Sequence, residues 1–175
     1  MKISEITIII LALGVIACNP KANTTDLHSI KQVREESKLQ LAQANSQNVA
    51  KYFNSGIKRL EQGDYQGAID DFTKAIEINP TLVAAYYNRA IARHQLQNYQ
   101  RAIADFTKVI QINPKIAIAY YNQGIIRGQL QDFQGAIADF TSSIEINPKL
   151  DIAYYNRGVA RSQSIILSSS DRRLQ

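Results

Sequence analysis

The chain has one cysteine, Cys18, which cannot close a bridge within the chain, so a disulfide framework is excluded. Histidine occurs only at His28 and His94, neither beside a cysteine, and no metal-ligand spacing is present. No Gly-Lys-Ser/Thr follows Gly63-Asp64-Tyr65-Gln66-Gly67, so that stretch is a turn and not a phosphate loop. Ser168, Ser169 and Ser170 lack the G-x-S-x-G context of a nucleophile, and the adjacent carboxylates Asp70 and Asp71 fall on a helix surface. These absences leave no constellation for catalysis and call for no cofactor. Net charge is +5, but no basic run is longer than Arg172 and Arg173, which argues against nucleic acid as a partner. The apolar run from Ile6 to Ala17 holds twelve residues, where a helix needs about 20 to cross a bilayer.

That run suits the core of a signal peptide. Directly after it stands Val15-Ile16-Ala17-Cys18, which resembles the bacterial lipobox: an aliphatic residue, a tolerant position, a small residue and the cysteine that takes the lipid. The resemblance implies cleavage after Ala17, so that residues 1–17 are removed and Cys18 carries the acyl chains, facing the extracytoplasmic side of a bacterial membrane. Two other readings stay open: a signal peptide cut elsewhere, with the cysteine incidental, and an uncleaved short anchor. Residues 18–48 are polar and read as a tether or a capping helix, with Ile30, Val33, Leu41 and Ala44 at loosely helical spacing.

Three Asn-Pro pairs recur at a constant spacing of 34 residues: Asn79-Pro80, Asn113-Pro114 and Asn147-Pro148. At that period residues 83–116 and 117–150 agree at 21 of 34 positions, so the whole interval repeats and not the pair alone. Numbered within the repeat, position 8 is small (Gly56, Ala90, Gly124, Gly158), as is position 20 (Ala68, Ala102, Ala136). Small residues let paired helices approach closely. Tyr52, Tyr86, Tyr120 and Tyr154 at position 4 and Phe72, Phe106 and Phe140 at position 24 fill the space around that contact, building one continuous core. Gly63-Asp64-Tyr65, Asn98-Tyr99 and Asp132-Phe133 mark the turn between helices, and the Asn-Pro pair ends the second.

This period and pattern resemble the tetratricopeptide repeat. The resemblance implies an all-α, right-handed superhelix of three helix-turn-helix units, 49–82, 83–116 and 117–150, with a capping half repeat at 151–163 and an irregular tail at 164–175. A truncated longer array is the other reading of that end. Position 11, usually tyrosine in the family, is Arg59, Arg93, Arg127 and Arg161 here. Asp71, Asp105 and Asp139 at position 23 could pair with them, or the pairing is chance on a solvated face; the charges are read as structural.

The same resemblance places helix positions 2, 6 and 9 on a concave, peptide-binding face. Position 6 is asparagine four times, Asn54, Asn88, Asn122 and Asn156, similar to the asparagine ladder of the O-GlcNAc transferase repeats, whose amides grip a peptide backbone. Phe53, Tyr87, Tyr121 and Tyr155 at position 5, with Ile57, Ile91, Ile125 and Val159 at position 9, would add apolar contacts. The family's carboxylate clamp for chaperone C-termini needs Lys or Arg where this chain has Phe53, Ile118 and Asn122, so an extended internal segment is the expected ligand. The asparagines also admit a structural reading, as hydrogen bonds between adjacent repeats. His94, at position 12, is expected near the concave face as a ligand contact or a plain surface histidine. The function implied is a membrane-tethered adaptor that binds a protein segment. The alternatives are an accessory module that recruits substrate to a separate enzyme, and a scaffold that self-associates into homo-oligomers through Ile165, Ile166 and Leu167.

Overall fold

A computed structural model describes residues 24–171, which hold seven helices and no strand. They are α1 (Thr24–Glu61), α2 (Tyr65–Ile78), α3 (Val83–Gln95), α4 (Tyr99–Ile112), α5 (Ala117–Gln129), α6 (Phe133–Ile146) and α7 (Asp151–Asp171). The chain divides into two units, one ending at Asn45 and one beginning at Ser46. In the first, the stretch read as a polar tether is helical from Thr24 onward, with Gln32–Glu36 and Lys38–Glu35 pairs along its surface. Its Leu39 and Leu41 are exposed.

In the second unit each repeat sets its own boundaries. The first helix ends where the backbone turns left-handed, at Gly63 (φ 78°), Gln97 (φ 57°) and Gln131 (φ 62°), all at repeat position 15. The next residue opens the second helix: the carboxylates of Asp64 and Asp132 accept the N–H of Gly67 and Gly135 at 3.0 and 2.9 Å. That helix stops at Asn79, Asn113 and Asn147, whose φ values of −129°, −140° and −131° are extended, as a following proline demands. Their Oδ1 atoms accept the N–H of Thr81, Lys115 and Lys149, which fixes the exit.

Between paired helices, Ala68, Ala102 and Ala136 are fully buried, and so are Phe72 and Phe106, with Phe140 nearly so. Burial of each phenylalanine is worth about 1.5–3 kcal/mol. Ala75, Val109 and Ser143 at position 27 are equally buried, a column that sequence reading passes over because its chemistry varies. The buried apolar side chains form two clusters instead of the single core expected. The larger runs from Ala68 to Ile126, and the smaller joins Ala136, Phe140 and Ala160 where α6 meets α7.

Where irregular chain was expected from 164, residues 164–171 belong to α7, which continues unbroken to Asp171, and 172–175 lie outside the described residues. Position 15 is here Ile165, and a β-branched residue resists positive φ; position 16 is Ile166, which cannot cap a new helix. With neither stop nor restart, the helix runs on.

Candidate functional site

The residues of the expected binding face divide once the packing is seen. Phe53, Tyr87 and Tyr121 lay their rings against the phenylalanine at position 24 of their own repeat, with centroids 5.8, 5.5 and 5.8 Å apart. They are half-buried, and so are Ile57, Ile91 and Ile125, which pack against the core clusters. Tyr155 is 68% exposed and Val159 42%, beside Ile118 at 40% and Ile152 at 47% from position 2.

The asparagines sit at the edge of this layer. Asn122 Nδ2 donates to the Tyr87 hydroxyl at 2.9 Å, and Asn156 Nδ2 donates to the Tyr121 hydroxyl at 3.1 Å, each bond joining one repeat to the preceding one. Burial raises the pKa of the Tyr87 phenol, an effect the Asn122 bond opposes. Asn88 stands opposite Phe53, which has no hydroxyl, and its amide turns back to Ala84 O at 2.8 Å. Asn54 is exposed, with no hydrogen-bond partner among the described residues. Hydrogen bonds from these asparagines between adjacent repeats were among the expectations, but not their partner, the position-5 hydroxyl of the preceding repeat 35 residues away.

His94 also joins two repeats: its Nε2 lies 2.8 Å from Gln129 Oε1, and its ring is 5.8 Å from Tyr99. The expectation of a plain surface histidine or a ligand contact misses this bridge. Cys18 and Val15-Ile16-Ala17 lie outside the described residues. Among the described residues no helix is long and apolar enough to cross a membrane, and no three His, Cys, Asp or Glu gather as a metal site.

Of the two readings left open for these charges, pairing is the one seen in the three full repeats: the position-23 acids are buried, although Arg59 at position 11 stays 43% exposed. Asp71, Asp105 and Asp139 are buried, at 5%, 3% and 7% exposure, against the arginines of the first helix. Arg59 Nε lies 3.3 Å from Asp71, Arg93 Nη1 2.6 Å from Asp105 and Arg127 Nη1 3.0 Å from Asp139. Position 7, which the sequence reading did not use, completes the site. Ser55 donates to Asp71 at 2.6 Å, and Arg89 grips Asp105 through two nitrogens at 3.0 and 2.8 Å while its third reaches Thr73 of the preceding repeat. Gln123 turns wholly to that neighbouring repeat, bonding Thr107 and Ile103 O. In each of the three full repeats the position-11 arginine therefore faces a buried acid.

Three family models match the chain: the tetratricopeptide repeat over residues 83–116, a TPR repeat over 58–97 and a further tetratricopeptide repeat over 117–150. No curated protein matches the sequence. Among solved structures, the TPR domain of Arabidopsis OM64 is 27% identical, with a TM-score of 0.65 over 67% of this chain and 98% of that one. The first TPR of Spaghetti (RPAP3), bound to the HSP90 peptide SRMEEVD, is 28% identical, with a TM-score of 0.64 over 70% of this chain and 95% of that one. MamA, at 23% identity and a TM-score of 0.64, covers 87% of this chain and 98% of its own, a likeness of fold.

Proposed function

Because the chain belongs to the tetratricopeptide-repeat family, we propose that it is a membrane-tethered adaptor holding an extended internal segment of a partner protein along the first helices of its repeats. The observation that carries this is the state of the asparagine amides. Tyrosine hydroxyls hold Asn122 and Asn156 in place through one N–H, and no protein group among the described residues pairs with their Oδ1 atoms. An oriented carboxamide with a free acceptor suits the N–H of a passing strand whatever that strand's side chains. Exposed Ile118, Ile152 and Val159 flank the row and would take apolar side chains of the ligand.

The similar Spaghetti domain is bound to an HSP90 peptide, which supports peptide capture by this chain as well. Its ligand class is a different matter. A carboxylate clamp would need cations where Phe53, Ile118 and Asn122 stand, so a free C-terminus finds no partner there. The tether rests on Val15-Ile16-Ala17-Cys18, with Cys18 as the lipid acceptor.

A second role is favoured by the Asn–Tyr bonds themselves, which lock the stacking of adjacent repeats. Displaying random peptides with blocked and with free C-termini separates the two readings. The chain is expected to enrich blocked peptides, and Asn88→Ala with Asn122→Ala is expected to weaken them by roughly tenfold, as for one or two lost hydrogen bonds. Preference for free C-termini, or full affinity in the double variant, defeats the ladder. A lower melting temperature at unchanged affinity assigns the row to stacking alone.

A further inference from the structure

The half repeat carries a prepared site for a helix that the described residues do not supply. In repeat 2, Arg89 and Arg93 at positions 7 and 11 converge on Asp105, and the Arg89 guanidinium lies 5.4 Å from the Tyr86 ring centroid. The half repeat has Arg157 and Arg161 at these two positions and Tyr154 at position 4. Arg157 already stands as Arg89 does, 5.5 Å from the Tyr154 centroid and donating to Thr141 of the preceding repeat at 3.4 Å. No acid among the described residues meets either guanidinium. Tyr154 is 43% exposed where Tyr86 is 9% exposed.

Position 8 shows the same vacancy from the apolar side. A Cβ added at Gly56 or Gly124 would lie 2.7 or 2.9 Å from the ring of Phe72 or Phe140, whereas at Gly158 it meets nothing within 4 Å. In the three full repeats this space is filled by a second helix bearing alanine, then aspartate three residues on and phenylalanine four on: Ala68-Asp71-Phe72, Ala102-Asp105-Phe106 and Ala136-Asp139-Phe140. Among the described residues no such helix lies on α7, since Ile165 and Ile166 replace the turn and cap.

We infer that this side of α7 docks an amphipathic helix of a partner protein carrying the pattern small-x-x-Asp-Phe, its carboxylate clamped by Arg157 and Arg161 and its phenyl ring seated over Gly158. Charge complementarity selects this occupant. Arginines at the two positions that in repeat 2 converge on one carboxylate favour an acid, and the open glycine beside them favours an aromatic ring. A second copy of the chain is a poorer fit, because its own Asp-Phe pairs are buried in its repeats. The surface uses positions 4, 7, 8 and 11, and the proposal does not depend on the asparagine row at position 6.

The test uses the full chain in detergent micelles and a fluorescent, hydrocarbon-stapled peptide with the sequence of residues 99–112, read by anisotropy. Saturable binding is expected, weakened roughly thirtyfold or more by Asp105→Asn in the peptide or by Arg161→Met in the chain, as for loss of a desolvated charge partner. Gly158→Leu fills the seat and is expected to abolish binding while leaving the melting temperature unchanged or higher, since nothing is crowded there. A peptide with Asp105→Arg binding to Arg161→Asp would add support. The proposal is overturned by no saturable binding, by equal binding to Gly158→Leu, or by a chain whose dimer in sedimentation becomes monomer on Gly158→Leu, which would give the surface to a second copy.

Discussion

Asp105 is clamped by two guanidiniums, whereas Asp139 has Arg127 alone, because position 7 is Arg89 in one repeat and Gln123 in the other. Arg127 Nη1 is 3.0 Å away, yet Oδ2 of Asp139 accepts no hydrogen bond. Burial therefore dominates and raises the Asp139 pKa from 3.8 to about 6, with Arg127 opposing and Asp132 adding to the rise. A carboxyl that holds its proton more tightly folded than unfolded stabilises the fold fully below pH 4, and that contribution is lost as pH rises through 6. Asn mimics the protonated form, so thermal melts from pH 4 to pH 7 are expected to show wild type losing on the order of 2 kcal/mol relative to Asp139→Asn. Parallel pH profiles would mean that Asp139 titrates normally. Gln123→Arg should rebuild the double clamp, since Arg89 shows that arginine at position 7 reaches the acid and the preceding repeat's threonine together. Its expected effect is a higher melting temperature at pH 7.5 and a flatter pH profile; a lower one would show that the Gln123–Thr107 bond matters more.

At the scale of the helix, what could be read in the sequence was what recurs with one chemistry. Small residues at positions 8 and 20, phenylalanine at 24 and the Asn-Pro stop point to the pairing of helices before any coordinates, and the structure buries the position-20 and position-24 columns. Position 7 was not legible, because Ser55, Arg89, Gln123 and Arg157 share no chemistry but only a place between two neighbours. The course of α7 was also hidden: loss of the repeat signature after Gln163 reads as irregular chain, whereas loss of a turn signal lengthens a helix. The close contact at position 20 gives a direct check. Ala102 is fully buried against its neighbours, so Ala102→Leu is expected to cost about 1–3 kcal/mol in denaturant unfolding, while exposed Lys108→Ala stays within about 0.5 kcal/mol. Equal costs would place the helix contact elsewhere.

For the whole molecule, the proposed attachment and the proposed recognition fall to different parts of the chain. The repeat columns lie from residue 49 onward, whereas the tether reading rests on the first 18 residues, which the structure does not describe. Among the described residues no helix is long and apolar enough to cross a membrane. A run of twelve apolar residues is short for a spanning helix, and two or more acyl chains on Cys18 would bind a membrane far more firmly than one, each buried CH2 adding about 0.8 kcal/mol. Cys18→Ser is therefore expected to leave a precursor that is not shortened after Ala17 and takes up no fatty-acid analogue, while the wild-type chain is labelled and stays with membranes through an alkaline wash. If the variant were shortened to the mature size and still stayed with membranes, the lipid would not be the anchor. A labelled wild type that washed off would point to a single acyl chain, too weak to hold the adaptor in place.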